Sequence, residues 1–166
     1  MKQIFLVMLI ALLSPPPGMS QSDAAAPEGW KRIDAQGRFS FYIPPEMKRI
    51  DVHGIDSYVE KYSSDTMTLD FDYGQYSNPL DNEGEEDYRS EVVEIDGRKA
   101  RLVTLTLTGE NLGYKYYAGL YFPDVDPLER RTPKPGLTVG VSSKSKADQE
   151  RAKKIFSTIR FPPRQP

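Results

Sequence analysis

The sequence predicts an α+β fold: a mostly antiparallel sheet of about seven strands, packed by a C-terminal helix. Three observations carry that expectation. Successive short stretches alternate apolar and polar residues at the period of a strand. Most are joined by hairpin-length turns, which favours antiparallel pairing because parallel strands need long crossovers. Beyond residue 145 the apolar spacing changes to that of an amphipathic helix.

The elements follow in order. Residues 29–33 (GWKRI) read as a short strand that docks Trp30. Across 38–43, Phe39, Phe41 and Ile43 point one way and Ser40 and Tyr42 the other, until Pro44-Pro45 stops the strand. Residues 47–55 read either as a loop or as a short irregular strand. Residues 57–62 form a strand and 66–73 a clearer one, with Met67, Leu69, Phe71 and Tyr73 opposite Thr68, Asp70 and Asp72. Ser63-Ser64-Asp65 supplies the hairpin loop between them. After the polar, acidic excursion of 76–87, strands at 90–95 and 99–108 flank Asp96-Gly97, a favoured two-residue turn.

A turn at 109–113 leads into a strand over 114–122. It sets Tyr116, Ala118, Leu120 and Phe122 on one side and Lys115, Tyr117 and Tyr121 on the other. The proline-rich stretch 123–136 is a loop, and Leu137, Val139 and Val141 mark the last strand. Ser145, with Asp148 three residues on, opens a helix in the manner of a capping box. Its apolar stripe is Ala152, Ile155, Phe156 and Ile159, and Phe161-Pro162-Pro163 ends it. One polar and one apolar face per strand implies a sheet with one wet side, the helix covering the other.

Ahead of this domain, Lys2 precedes residues 4–13 (IFLVMLIALL), an apolar run of signal-peptide length that is too short to span a bilayer. Prolines follow, and Gly18 and Ser20 occupy the −3 and −1 positions of a cut after Ser20; a later cut within 23–26 also fits. The expected organisation is a signal peptide at 1–20, a flexible arm at 21–28, one domain at 29–161 and a tail at 162–166. The chain is expected to be exported to the periplasm or the extracellular medium. Neither a membrane span nor a lipoprotein-type lipid anchor is expected, the latter because no cysteine follows the apolar run. Oligomeric state is left open by the sequence.

The composition is that of a globular chain, 38% hydrophobic and 28% charged, with a net charge of -2. No basic patch accompanies that mildly acidic balance, which argues against nucleic acid and anionic membrane surfaces as main partners, and neither is expected. The absence of cysteine excludes disulfides, thiolate metal sites and thiol catalysis.

The opening strand Phe39-Ser40-Phe41-Tyr42-Ile43-Pro44, the mid-chain Asp96-Gly97 hairpin and the closing Ile155-Phe156-Ser157-Thr158-Ile159-Arg160-Phe161 together resemble the PsbP-like superfamily. That superfamily takes in an extrinsic photosystem II protein, the Ran-binding Mog proteins and many exported bacterial proteins. The resemblance covers residues 29–161. It implies a central antiparallel sheet flanked by helices and a binding or assembly role without catalysis. It carries no metal-binding or partner-binding residue onto this chain.

The chemistry-bearing residues are few. His53, the one histidine, lies in an irregular stretch and reads as a loop residue. Asp70 and Asp72 share a strand face roughly 7 Å apart, a spacing also used by carboxylate hydrolases, although polar alternation on a wet face yields such pairs routinely. The acidic run 81–87 does not fit an EF-hand: with Gly84 at the sixth position, the first would be Pro79 and the twelfth Ser90. Ser142 to Lys146 joins a strand to a capped helix, and no phosphate-binding glycine loop is present. No catalytic residue, metal ligand or cofactor is assigned.

The crowded tyrosines of 114–121 stand out, because a single helix cannot bury both faces of their strand. Tyr117 and Tyr121 are therefore expected at the surface, where tyrosine suits binding. The expected function is a non-catalytic exported domain that binds a protein partner, with Tyr117, Tyr121, Asp70 and Asp72 as candidate binding residues. The alternative is a small-ligand or carbohydrate-binding domain, with a carboxylate-dependent hydrolase behind it.

Overall fold

A computed structural model describes residues 26–81, 84–108, 113–126 and 134–163. The expected signal peptide, much of the arm, part of the acidic run and the end of the tail lie outside those residues. Among the described residues there are nine strands and one helix. Strands β1 (Lys31–Asp34) and β2 (Ser40–Ile43) pair with each other in a separate hairpin. The main sheet holds β3 (Lys48–Ile50), β4 (Tyr58–Ser63), β5 (Met67–Gly74), β6 (Arg89–Ile95), β7 (Arg98–Thr106), β8 (Tyr116–Phe122) and β9 (Gly136–Ser143). Helix α1 (Lys146–Ser157) follows. The α+β class, the antiparallel pairing and the single C-terminal helix agree with the sequence reading, and the ambiguous stretch 47–55 contributes β3.

The strand order is β3-β4-β5-β9-β8-β7-β6, antiparallel throughout. The last strand in the chain therefore lies at the centre of the sheet. Turn chemistry specifies only neighbours in sequence, so the β4–β5 and β6–β7 hairpins were legible and the insertion of β9 between β5 and β8 was not. Burial explains the insertion. All but one of the β9 residues are buried, and Gly136, Thr138 and Gly140 alternate with Leu137, Val139 and Val141. A strand so small on one face and so apolar on the other suits a position covered on both sides.

On the helix-covered face, Phe71 of β5 is the hub. The ring of Phe39 meets it edge-on with centroids 5.0 Å apart, and that of Phe41 at 6.0 Å. The β1–β2 hairpin thus lies over this face beside α1, which buries Ala152, Ile155 and Phe156. Ser145 caps the helix, its Oγ accepting from the Asp148 N–H at 3.1 Å. Arg151 and Lys154 place their cations 5.8 and 5.5 Å from the Trp30 ring centre, joining the helix to the segment before β1.

The chain end fastens these layers together. Arg160 exchanges backbone hydrogen bonds with Ser40, and the Phe161 N–H donates to Asp96 Oδ2 at 2.8 Å. Both turn residues have positive φ, 51° at Asp96 and 68° at Gly97, the signature of a type I′ hairpin. Asp96 therefore closes the β6–β7 turn and holds the C-terminal segment at once. Among the described residues, no helix is long and apolar enough to cross a membrane.

Candidate functional site: the helix-free face of the sheet

The four candidate binding residues all project from the face opposite α1. Register sets Asp72 beside Thr138 and Thr138 beside Tyr121, and sets Asp70 beside Gly140 and Gly140 beside Gly119. Tyr117 lies one pair further along, next to Ser142, and leans back over both glycines. A Cβ added at Gly140 would stand 2.7 Å from Tyr117 Oη, and one at Gly119 would stand 2.8 Å from Tyr117 Cε1. The ring occupies the space those residues leave by lacking side chains. Tyr121 does the same over Gly136, where a Cβ would come within 2.9 Å of its Cε2.

This corrects the expectation that one face of the sheet is simply wet. Tyr117 and Tyr121 are half-buried rather than exposed. Residues 77–81 and 84–88 fold back over β7 and β8 and bury Leu80 against Val103 and Leu105, with Tyr88, Leu107, Tyr117 and Tyr121 packed around them. That small second core needs its own fastening. Asn78 Oδ1 accepts from the Leu80 N–H at 2.8 Å, the Tyr88 hydroxyl donates to the Leu80 carbonyl at 2.8 Å, and the Thr138 hydroxyl donates to the Asn78 carbonyl. The sequence signal for it was present in part: Leu80 is a lone apolar residue in a polar excursion, opposite the apolar Val103-Leu105-Leu107 series.

Between β7 and residues 78–80 and 85–88 the second core leaves an open cleft of about 310 Å³. It is lined by Leu80, Tyr88, Leu105, Leu107 and Tyr117, with Asn78 and Glu85 among its polar walls. Of the four candidate residues only Tyr117 lines it. Burial, together with the charge of Asp70, raises the Tyr117 pKa well above that of a free phenol, so the ring is a neutral hydrogen-bonding group at physiological pH.

Asp70 and Asp72 lie outside the cleft. Burial among protein atoms raises the Asp70 pKa, Lys61 opposes the rise and Asp72 adds to it. The Asp70 side chain itself is open to water. Asp72 turns Oδ1 toward Gly74, and that oxygen is buried with no hydrogen-bond partner among the described residues.

Sequence reasoning passed over a third carboxylate, Glu60, which is 7% exposed on the opposite face of β4. It accepts from the hydroxyls of Tyr58 and Tyr62 and pairs with Arg49 at 3.0 Å. Burial first, then donation to Glu60, pushes the Tyr58 pKa up to about 12 and that of Tyr62 higher still. A carboxylate so fully paired holds strands together rather than taking protons from a substrate. Among the described residues, no group of three or more His, Asp or Glu side chains is arranged to hold a metal ion.

Compared with known proteins, the sequence matches no family model and no curated protein.

Proposed function

We propose that this chain is an exported, non-catalytic binding domain whose helix-free sheet face engages a protein partner. The observation that carries the reading is the cleft of about 310 Å³ beside Tyr117, apolar at its floor and rimmed by phenols and Glu85. Such a site suits an anchoring apolar side chain with a polar group beside it. Tyr121 and Asp72 lie along the same face, both paired in register with Thr138. Export rests on the leader-like residues 1–20. A PsbP-like identity for the fold rests on residues 39–44, Asp96-Gly97 and 155–161, and belongs to the same proposal.

The test is chemical crosslinking of the tagged full chain in its native cells, with mass spectrometry of what it captures, beside the variants Leu107→Glu and Tyr117→Ala. One dominant partner, lost from both variants while their circular dichroism stays native, supports the reading. A partner retained by both folded variants removes the cleft from it, and sequencing of the exported chain's amino terminus should give Gln21. The cleft volume also sits at the small end of small-molecule sites, so a second reading is a small amphipathic ligand. A thermal shift with a sugar or a small amphiphile, lost in Leu107→Glu, would favour that reading.

A further inference from the structure

The two edges of the main sheet are built differently. At one end β3 is three residues long, follows Pro44-Pro45 and carries Lys48 and Arg49, all features that discourage strand addition. At the other end β6 is seven residues long and contains no proline. It has no bulge either, since each residue from Arg89 to Ile95 faces one residue of β7. At its middle sits Val92, 75% exposed.

The hairpin determines which backbone groups of β6 are free. In a two-residue type I′ hairpin the residues flanking the turn, here Ile95 and Arg98, form a hydrogen-bonded pair, and such pairs alternate along the ladder. Ile95, Val93, Glu91 and Arg89 therefore spend their N–H and C=O groups on β7. Ser90, Val92 and Glu94 direct theirs outward from the sheet.

We infer that β6 pairs with β6 of a second copy of this chain, antiparallel about a two-fold axis at Val92, joining two sheets into one. In that register Val92 faces the partner's Val92, and Ser90 faces the partner's Glu94. Each facing pair then exchanges both N–H···O=C bonds. No carboxylate is placed opposite another: Glu91 faces the partner's Val93 and Arg89 faces the partner's Ile95. Centring the axis on Glu91 would oppose two carboxylates, and centring it on Val93 would direct Ser90 at the turn residue Asp96. The axis at Val92 makes the longest ladder without direct like-charge contact. Glu91 and the partner's Glu91 meet only diagonally, at roughly 7–8 Å, so added salt should tighten the pair. This inference is independent of the cleft and its partner.

Because the chain has no cysteine, single substitutions can read the register directly. Val92→Cys brings two thiols together across a pair whose Cα atoms lie about 5.5 Å apart, within disulfide reach. Mild oxidation should convert most of that variant to a covalent dimer. Ser90→Cys alone should not crosslink, its copies lying roughly 14 Å apart along the strand at 3.4 Å per residue. Ser90→Cys mixed with Glu94→Cys should crosslink. Light scattering of the unsubstituted chain should give twice the mass of one chain at high micromolar concentration, and Val92→Pro, which removes an outward N–H, should return it to one. A monomer at every concentration overturns the inference, as does a dimer that Val92→Pro leaves intact or crosslinking of Ser90→Cys as efficient as that of Val92→Cys.

Discussion

The two faces of the sheet solve the same problem with opposite materials. The helix-covered face is filled by side chains: Phe39, Phe41, Phe71, Phe122 and Phe156 are all buried in one cluster, and the rings of the first three meet one another. The helix-free face is filled by absence. Gly119, Gly136 and Gly140 carry no side chain, and Tyr117 and Tyr121 lie in the trough that results. A face packed by bulk is held by many contacts and resists change. A face packed by two rings over glycines stays shallow, and it is there that the cleft opens.

The comparison can be broken first where it is strongest. Phe71→Ala deletes the ring that both Phe39 and Phe41 pack against and should cost about 3–5 kcal/mol, read as a fall in Tm of more than about 10 °C. A loss below about 1 kcal/mol would mean that the hairpin β1–β2 does not rest on this face.

A smaller effect tests the glycine trough. Gly140→Ala puts a methyl group 2.7 Å from Tyr117 Oη and should cost about 1–3 kcal/mol by overpacking. Adding Tyr117→Phe removes the atom it meets and should recover part of the loss. Strict additivity of the two substitutions in denaturant unfolding would show that they do not meet.

The mildest test is pH. Tyr58 and Tyr62 beside Glu60, and Tyr117 on the other face, all hold their protons above the ordinary phenol value of 10.0. The unfolded chain therefore releases these protons first as pH rises. The contribution of these three groups to stability should be level below pH 10 and fall from there through about 12, with tyrosinate absorbance rising together with unfolding. Ionisation of every tyrosine near 10 in a chain that remains folded would contradict the burial of all three.

Local chemistry was readable where it was self-contained. The Asp96-Gly97 turn, the Ser145 cap and the stripe of Ala152, Ile155 and Phe156 each depend on residues within a few positions, and each forms as its pattern implies. Asp70, Asp72, Tyr117 and Tyr121 share a face because strand alternation and hairpin register put them there. Their environments were not readable. Tyr117 and Tyr121 looked free because nothing in their own strand covers them; the cover comes from Leu80, up to 41 positions distant, and Gly136 and Gly140 of β9 complete with Gly119 the trough in which the rings lie. Glu60 looked like an ordinary strand carboxylate until β3 brought Arg49 beside it.

By itself, the sequence determined the class of the fold, the hairpin partners and the polarity of each strand face. Those follow from side-chain period and turn geometry, which act over a few residues. Only the tertiary structure decided that β9 occupies the centre of the sheet, that residues 77–81 and 84–88 close over the second face, and that β6 is left as an open edge. Each depends on which distant surfaces fit together when apolar area leaves water, and that attraction is non-directional, so local pattern does not specify it.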